Sequence, residues 1–107
     1  MSKQTKLTDI SPKVKKEVWQ RDEGRCVVCG SSQAMPNAHV FVNRSHGGLG
    51  IKENVATLCI KCHHDYDNGK NKEHEYVKSI LHEYMFKLYP DLDISKLSIN
   101  THKTNKN

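Results

Sequence analysis

Two C-x-x-C pairs, Cys26 with Cys29 and Cys59 with Cys62, constrain this chain more than any other feature of its sequence. They contain all four cysteines of the 107 residues. Cysteine thiolates at this spacing are typical ligands of a structural zinc ion in a closed tetrahedral site. Because only 36% of the residues are hydrophobic and 7% aromatic, the core is thin and a bound metal would add needed stability. The pattern predicts one structural Zn²⁺ per chain.

The sequence also indicates a cellular compartment, and this in turn affects how the cysteines are interpreted. No apolar run approaches the ~20 residues of a membrane span, and the N-terminal MSKQTKLTDI lacks the apolar stretch of a signal peptide. We therefore expect a cytoplasmic protein without a membrane partner. In a reducing compartment, C-x-x-C pairs are more often metal ligands than disulfides. A redox C-x-x-C would normally occur singly, beside a βαβ pattern that this sequence does not contain.

The distribution of charge favours a nucleic-acid partner. The chain has 17 Lys and Arg against 12 Asp and Glu, which gives a formal net charge of +5 and a pI near 9.1. Asp65 and Asp67 lie just after the second cysteine pair, by the predicted metal. A basic flank beside an acidic metal pocket suits a phosphodiester substrate. The basic residues before the first pair are Lys3, Lys6, Lys13, Lys15, Lys16, Arg21 and Arg25.

A helix is predicted at each end of a small α+β domain. Ser11 is a suitable N-cap and Pro12 a suitable first residue for a helix that runs to about Asp22. Apolar residues at helical spacing predict a C-terminal helix over about 72–88, which Pro90 follows. The predicted organisation is a mobile basic arm over 1–10, one domain over 11–97 and a disordered tail over 98–107.

The cysteine pairs flank a predicted β-hairpin. Residues 38–42 and 55–58 are short and β-prone, and residues 31–37 form an expected loop before the first strand. The glycine-rich connection 43–53 is long enough to be functional or disordered. The second cysteine pair opens a helix that Asn68-Gly69 ends. Two strands and a helix with a metal held between them are the expected architecture.

His63 and Asp67 on that helix are candidate ligands of a second metal. They are four residues apart, so a helix places their Cβ atoms about 5–6 Å apart on one face. The alternative is a solvated pair, but Cys62 beside His63 is fixed by the predicted zinc, which favours a metal site. His64 faces another direction and is expected to be exposed or to contact phosphate.

His39 and Asn54 are candidate catalytic residues on the hairpin. A lone strand histidine is usually structural, and an asparagine at a strand end often caps a turn. The amide of Asn54 could, however, fix the tautomer and orientation of the His39 imidazole across the hairpin, as a general base requires. The hypothesis of a proton-transfer site rests on the two residues together.

Residues about 17–69 resemble the HNH endonucleases, the ββα-metal nucleases, in their zinc-stapled form. The resemblance lies in the order of a strand histidine, an R-S-x-G-G-L-G loop (Arg44 to Gly50), E-N-x-x-T-L-C, C-x-x-C-H and a final acidic ligand. It implies a ββα-metal core with a four-cysteine zinc knuckle pair. The implied activity is divalent-metal-dependent cleavage of DNA, with Mg²⁺ as the expected cation and Mn²⁺, Ni²⁺ or Zn²⁺ as alternatives.

The resemblance also implies a setting. Small free-standing members of this family are frequent in bacterial viruses, some of them beside DNA-packaging machinery. It therefore implies a bacterial host cell, with DNA and phage packaging proteins as partners.

By position, the resemblance assigns roles to individual residues. His39 corresponds to the general base, Asn54 to its orienting residue, and His63 and Asp67 to the ligands of the catalytic metal. Both ligands lie on the helix that the second cysteine pair opens.

The loop and the first strand leave alternatives open. Arg44 and His46 are expected to meet the substrate, although a surface ion pair is an equally simple interpretation of Arg44. Many members have a His-His or Asp-His pair on the first strand, where this chain has Ala38-His39-Val40. His39 could therefore bind the metal itself, and His46 is then the next candidate base.

Two functions without catalysis also remain open. A zinc-ribbon DNA-binding module would need the cysteines but not His39, Asn54 or Asp67. An accessory interaction protein would depend on the C-terminal helix.

Overall fold

The computed structural model describes residues 7–68 and 72–99. Within them the chain is α+β, with an antiparallel two-stranded sheet and helices on both sides of it in sequence. No helix among these residues has the length and apolar character needed to cross a membrane. The elements are α1 (Pro12–Arg21), β1 (Ala34–His39), β2 (Val55–Cys59), α2 (Ile60–Asn68) and α3 (Lys72–Leu88), with 3₁₀ turns at Arg44–His46, Lys52–Asn54 and Ile94–Lys96.

Helix α1 begins as its sequence predicts. The Ser11 Oγ accepts a hydrogen bond from the Val14 N–H at 3.2 Å, and Pro12 follows in the first turn, where its missing N–H has no intrahelical partner to lose. Val18 is the buried residue of the helix. The helix ends at Arg21 with Asp22 as its C-cap, which confirms the predicted end.

Strand β1 lies earlier than we expected. We predicted a loop over 31–37 and a strand over 38–42, whereas the strand is Ala34–His39. Its register changes between Met35 and Ala38, and Pro36, which cannot donate to a ladder, sits within that irregularity.

The β-prone residues after His39 leave the sheet because their backbone N–H groups bond the Asn54 side chain instead of a strand. The Val40 N–H still bonds the Asn54 carbonyl at 2.8 Å. The next two amides, of Phe41 and Val42, donate to the Asn54 side chain instead of to a strand. The predicted end of β1 was therefore wrong because a side chain replaced the neighbouring strand.

The core lies between the sheet, α2 and α3. Val77, Leu81 and Met85 recur every four residues on α3 and are buried, which confirms the predicted amphipathic helix over 72–88. They pack with Val40 and Leu58 in one cluster that also contains three of the cysteines. Burying a leucine of this kind stabilises a fold by about 1.5–3 kcal/mol.

A buried ion pair joins α1 to the sheet and α3. The Asp22 carboxylate accepts from Arg21 Nε at 2.7 Å, the Thr57 N–H at 2.9 Å and the Tyr84 hydroxyl at 2.5 Å. Arg21 also donates to the Val55 carbonyl at 2.8 Å. Burial opposes the guanidinium charge, but the hydrogen bond and charge of Asp22 outweigh it and raise the pKa of Arg21.

Both ends of the described chain pack on the glycine-rich connection. The Gly50 N–H donates to the Leu7 carbonyl at 3.0 Å, and the Ile99 N–H donates to the Gly47 carbonyl at 2.9 Å. Residues 7–10 and 98–99 therefore belong to the packed domain, although we expected them in the arm and the tail. The other residues of that arm and tail, and Gly69 after α2, lie outside the described residues.

Candidate metal centre and candidate active site

The four cysteines converge on one point. Their sulfur atoms all lie within 4.8 Å of one another, and Cys29 Sγ is 3.6 Å from Cys59 Sγ. A tetrahedral ion with Zn–S bonds of about 2.3 Å needs its sulfurs about 3.8 Å apart. The turn after α1 supplies Cys26 and Cys29, while the end of β2 and the first turn of α2 supply Cys59 and Cys62. The donor set fits one metal ion.

Backbone amides point at the sulfurs of both pairs. The Cys29 N–H donates to Cys26 Sγ at 3.5 Å, and the Cys62 N–H donates to Cys59 Sγ at 3.4 Å. Burial raises the pKa of Cys26, but amides of Cys29, Cys59 and Val28 outweigh it and lower that pKa to about 7. Burial and the neighbouring sulfurs raise the pKa of Cys62. Four thiols this close ionise together only when a cation balances them.

The chemistry of four thiolates suits more than one metal. Zinc and iron both accept tetrahedral sulfur donors. The cysteines are present as free thiols rather than disulfides, and Cys29 is the one that is exposed. The structure therefore supports a metal-binding cluster of four cysteines, such as a zinc site, as the sequence predicted.

A cleft of about 690 Å³ holds most of the residues of the second predicted site. His39 of β1, Arg44 of the connection, and His63 and Asp67 of α2 all line it. These residues come from separate parts of the sequence, and the fold brings them to one opening. The cleft is also lined by Lys15 of α1 and by residues 8–10.

His63 and Asp67 form a side-by-side pair on α2. The His63 Nε2 lies 3.3 Å from the Asp67 Oδ2, and both side chains remain partly exposed. Over residues 7–68 and 72–99, the cysteines are the only group of three or more His, Cys, Asp or Glu side chains with converging ligand atoms. A cation on His63 and Asp67 would therefore need further ligands from water or substrate oxygens.

His39 is held by a backbone group rather than by a side chain. Its Nε2 lies 3.0 Å from the Thr8 carbonyl oxygen. Because a carbonyl only accepts, Nε2 carries the proton and Nδ1 carries the lone pair. Burial is the largest influence on the pKa of His39 and lowers it. The Thr8 carbonyl and the charge of Asp67 raise this pKa, but burial together with the charges of Arg44 and His63 outweighs them. A neutral imidazole with a basic Nδ1 is the expected state near neutral pH.

Asn54 does not make the contact with His39 that we expected. Its side chain is fully buried, and its Oδ1 accepts from Phe41 at 2.9 Å and Val42 at 3.2 Å. Its Nδ2 donates to the Val42 carbonyl at 3.1 Å and the Leu49 carbonyl at 3.0 Å. These four bonds use the full capacity of the amide. Asn54 therefore holds the connection, and the Thr8 carbonyl makes the contact with the His39 imidazole that we expected from Asn54.

The two loop residues expected to meet the substrate have different surroundings. Arg44 lines the cleft and forms an exposed ion pair with Asp9, which matches the simpler interpretation of this residue. His46 is exposed on its 3₁₀ turn and is not among the residues that line the cleft.

Sequence reasoning missed the contribution of the N-terminal segment to the cleft. Thr8 acts through its backbone carbonyl, which carries no signal in a sequence. Lys15 was one of several basic residues before Cys26, and only its position on α1 distinguishes it from Lys13 and Lys16.

The chain is similar to one named protein among the curated sequences compared. Anaredoxin from Nostoc sp. (strain PCC 7120) is 33% identical over 60 residues, which cover 56% of this chain and 79% of Anaredoxin. No protein-family model matches the chain. No solved structure matches it either.

Proposed function

The chain belongs to the same family as Anaredoxin. From its cleft, we propose that the chain is a divalent-metal-dependent endonuclease that hydrolyses DNA phosphodiester bonds. The observation that carries this proposal is the cleft in which an imidazole with a basic nitrogen faces the same opening as an imidazole–carboxylate pair. The order β1, β2, α2 supports the further proposal that these elements are a ββα-metal core of the HNH type.

Five residues of the cleft have roles in this reaction: Lys15, His39, Arg44, His63 and Asp67. Neutral His39 takes a proton from water through Nδ1, and the resulting hydroxide attacks phosphorus. Lys15 and Arg44 bind phosphate oxygens, Arg44 after exchanging its Asp9 partner for the substrate. A divalent cation on His63 and Asp67 would supply Lewis-acid stabilisation of the phosphate and the leaving oxygen.

The four-cysteine cluster has a separate, structural role in this proposal. Four thiolates fill a tetrahedral coordination sphere, so a metal there has no open position for water or substrate. The cluster instead joins the turn after α1 to the end of β2 and the start of α2. It thereby fixes the first turn of the helix that carries His63 and Asp67.

The test is cleavage of supercoiled plasmid by the purified, zinc-loaded chain with Mg²⁺, Mn²⁺, Ni²⁺ or added Zn²⁺. We expect nicked or linear product with at least one of these cations. The His63→Ala variant should lose most of this activity, whereas His64→Ala should retain it, because His64 is exposed and does not line the cleft. Tight DNA binding without cleavage by any cation would favour the zinc-ribbon binding module instead.

A redox function is the second candidate. The relative's name ends in "redoxin", and four thiolates with one exposed member, Cys29, could hold iron. Metal analysis and visible absorption of protein purified without added metal separate the two. Stoichiometric iron with absorption that bleaches on reduction would favour the redox candidate, whereas zinc and a colourless protein would favour the nuclease. The cleft itself is the argument against electron transfer, which needs neither His39 nor Asp67.

A further inference from the structure

We propose that the segment 7–10 is a positioning element of the cleft, in which the Thr8 backbone carbonyl holds the His39 imidazole in the one tautomer that can act as a base at Nδ1. This inference rests on the proposed nuclease function. It assigns to a stretch outside the HNH-like residues a role that Asn54 was expected to fill.

The contact with the Thr8 carbonyl determines which nitrogen of the neutral His39 imidazole carries the proton. A neutral imidazole exists as two tautomers of similar free energy, and only the one with a proton on Nε2 leaves a lone pair on Nδ1. The Thr8 carbonyl, 3.0 Å from Nε2, binds that tautomer alone. Thr8 is 5% exposed, so water competes little for this contact.

The segment is attached to the domain on either side of Thr8. The Leu7 carbonyl accepts from the Gly50 N–H at 3.0 Å, and until substrate replaces it the Asp9 carboxylate also pairs with Arg44. The contact between the segment and Gly50 is so close that a Cβ on Gly50 would lie 2.1 Å from the Asp9 carbonyl oxygen and 2.6 Å from its carbon. Gly50 therefore has no room for a side chain while the segment is in place.

The opposite interpretation is that the segment blocks the cleft. The same two contacts would then occupy the base and the phosphate clamp until substrate displaced them. The two interpretations predict opposite changes in cleavage when the segment is released, so one variant separates them.

Gly50→Ala is that variant. The three atoms nearest to the new Cβ all belong to Asp9 and Ile10, so the substitution pushes directly on the segment. Gly47→Ala is the control in the same connection. Its φ of 84° also strains the backbone, but its Cβ would meet Ile99 and Ser98 instead of the segment. Zinc content and circular dichroism establish that each variant is folded.

The first readout is the tautomer of His39, from the ring ¹⁵N shifts in the zinc-loaded full chain without DNA. We expect the Nε2–H tautomer in the wild type and in Gly47→Ala, and a mixture of tautomers in Gly50→Ala. A single Nε2–H tautomer in Gly50→Ala overturns the proposal. This readout needs no cleavage, so it tests the positioning role separately from the proposed function. If the wild type has one tautomer and Gly50→Ala has a mixture, the positioning role is supported even when the chain cuts no DNA. Absence of cleavage would reject the proposed function only.

The second readout is plasmid cleavage at saturating divalent metal. A loss on the order of tenfold to a hundredfold in Gly50→Ala supports positioning, since small displacements of a reacting group have effects of this size. Increased cleavage overturns it in favour of a blocking segment.

A semisynthetic chain covers the case in which Gly50→Ala does not fold. Ligation at Cys26 allows residue 9 to be introduced as the hydroxy-acid analogue of aspartate, so that an ester replaces the peptide bond after Thr8. An ester carbonyl is a weaker acceptor than an amide carbonyl, and every side chain is retained. Tautomer mixing in this chain supports the proposal, and an unchanged Nε2–H tautomer overturns it.

Discussion

The Asn54 side chain donates to the Leu49 carbonyl at 3.0 Å and thereby closes the glycine-rich connection onto the start of β2. The Oδ1 of the same amide accepts hydrogen bonds from the N–H groups of Phe41 and Val42. One fully buried side chain thus replaces the strand that these backbone groups would otherwise need. The connection that carries Arg44 depends on this amide.

Replacing Asn54 by alanine should destabilise the domain by about 2–4 kcal/mol. The change leaves backbone groups of Phe41, Val42 and Leu49 without their partner, and each unsatisfied buried group costs about 1–3 kcal/mol before relaxation. Urea unfolding of the zinc-loaded protein measures the change. A difference in unfolding free energy below about 1 kcal/mol would mean that water replaces the amide in the connection.

Removing the metal from the four-cysteine cluster should unfold the chain. The cluster joins three elements of a domain with a thin core, so the free energy of metal binding contributes directly to folding. Cys59→Ser should have the same effect, because it breaks the site on β2. Elemental analysis should find one metal ion per folded chain, and chelation should abolish the helical circular dichroism of the chain. Folded, reduced, metal-free protein would contradict this prediction.

Lys15 should contribute to DNA binding more than its neighbours on α1. It lines the cleft, whereas Lys16 is exposed elsewhere on the helix. If Lys15 neutralises one phosphate, Lys15→Ala lowers the slope of log K against log salt by about 0.9. Binding titrations at several salt concentrations measure the slope, with Lys16→Ala as the control. Equal effects of the two variants would show a diffuse basic surface in place of a defined contact.

The sequence predicted the four-cysteine cluster because thiolate pairs at this spacing have few other uses. It predicted α1 and α3 because a cap and a helical apolar repeat are local signals. The predicted end of β1 was wrong because that end is decided by Asn54, which lies further along the chain. The predicted partner of His39 was wrong for a related reason. The group that holds the imidazole is the Thr8 carbonyl, a backbone group that every residue has and that no sequence pattern singles out. Local signals were readable, while contacts between a side chain and the backbone of a distant residue were not.

Cleavage should depend on pH through His39. Burial lowers the pKa of His39 below its usual 6.5, so the neutral base is present at and above that pH. Protonation at lower pH removes the lone pair, and the rate at saturating metal should fall as pH drops through the lowered pKa. NMR titration of His39 and a pH–rate profile measure the two values. The direction of the change in cleavage rate with pH tests the assignment, because a rate that rises on acidification is incompatible with His39 acting as a base.

The proposed division of labour between His39 and Asp67 predicts different responses to added metal. His39→Ala should reduce cleavage by about 10²–10⁴-fold, the usual contribution of one general base. Its fold, zinc content and DNA binding should change little, because His39 is the last residue of β1 and has no role in the four-cysteine cluster. Asp67→Ala should also reduce cleavage, but part of the loss should return at higher Mg²⁺ or Mn²⁺, since a missing ligand weakens metal affinity first.

The response of His39→Ala to metal decides between the two roles that the sequence left open for this residue. A loss that persists at saturating metal identifies the base, because no concentration of cation replaces a proton acceptor. A loss that added metal reverses identifies His39 as a ligand, with its Nδ1 lone pair directed at the cation rather than at water. Cleavage at the wild-type rate would exclude both roles, and the exposed His46 would then be the next histidine to replace.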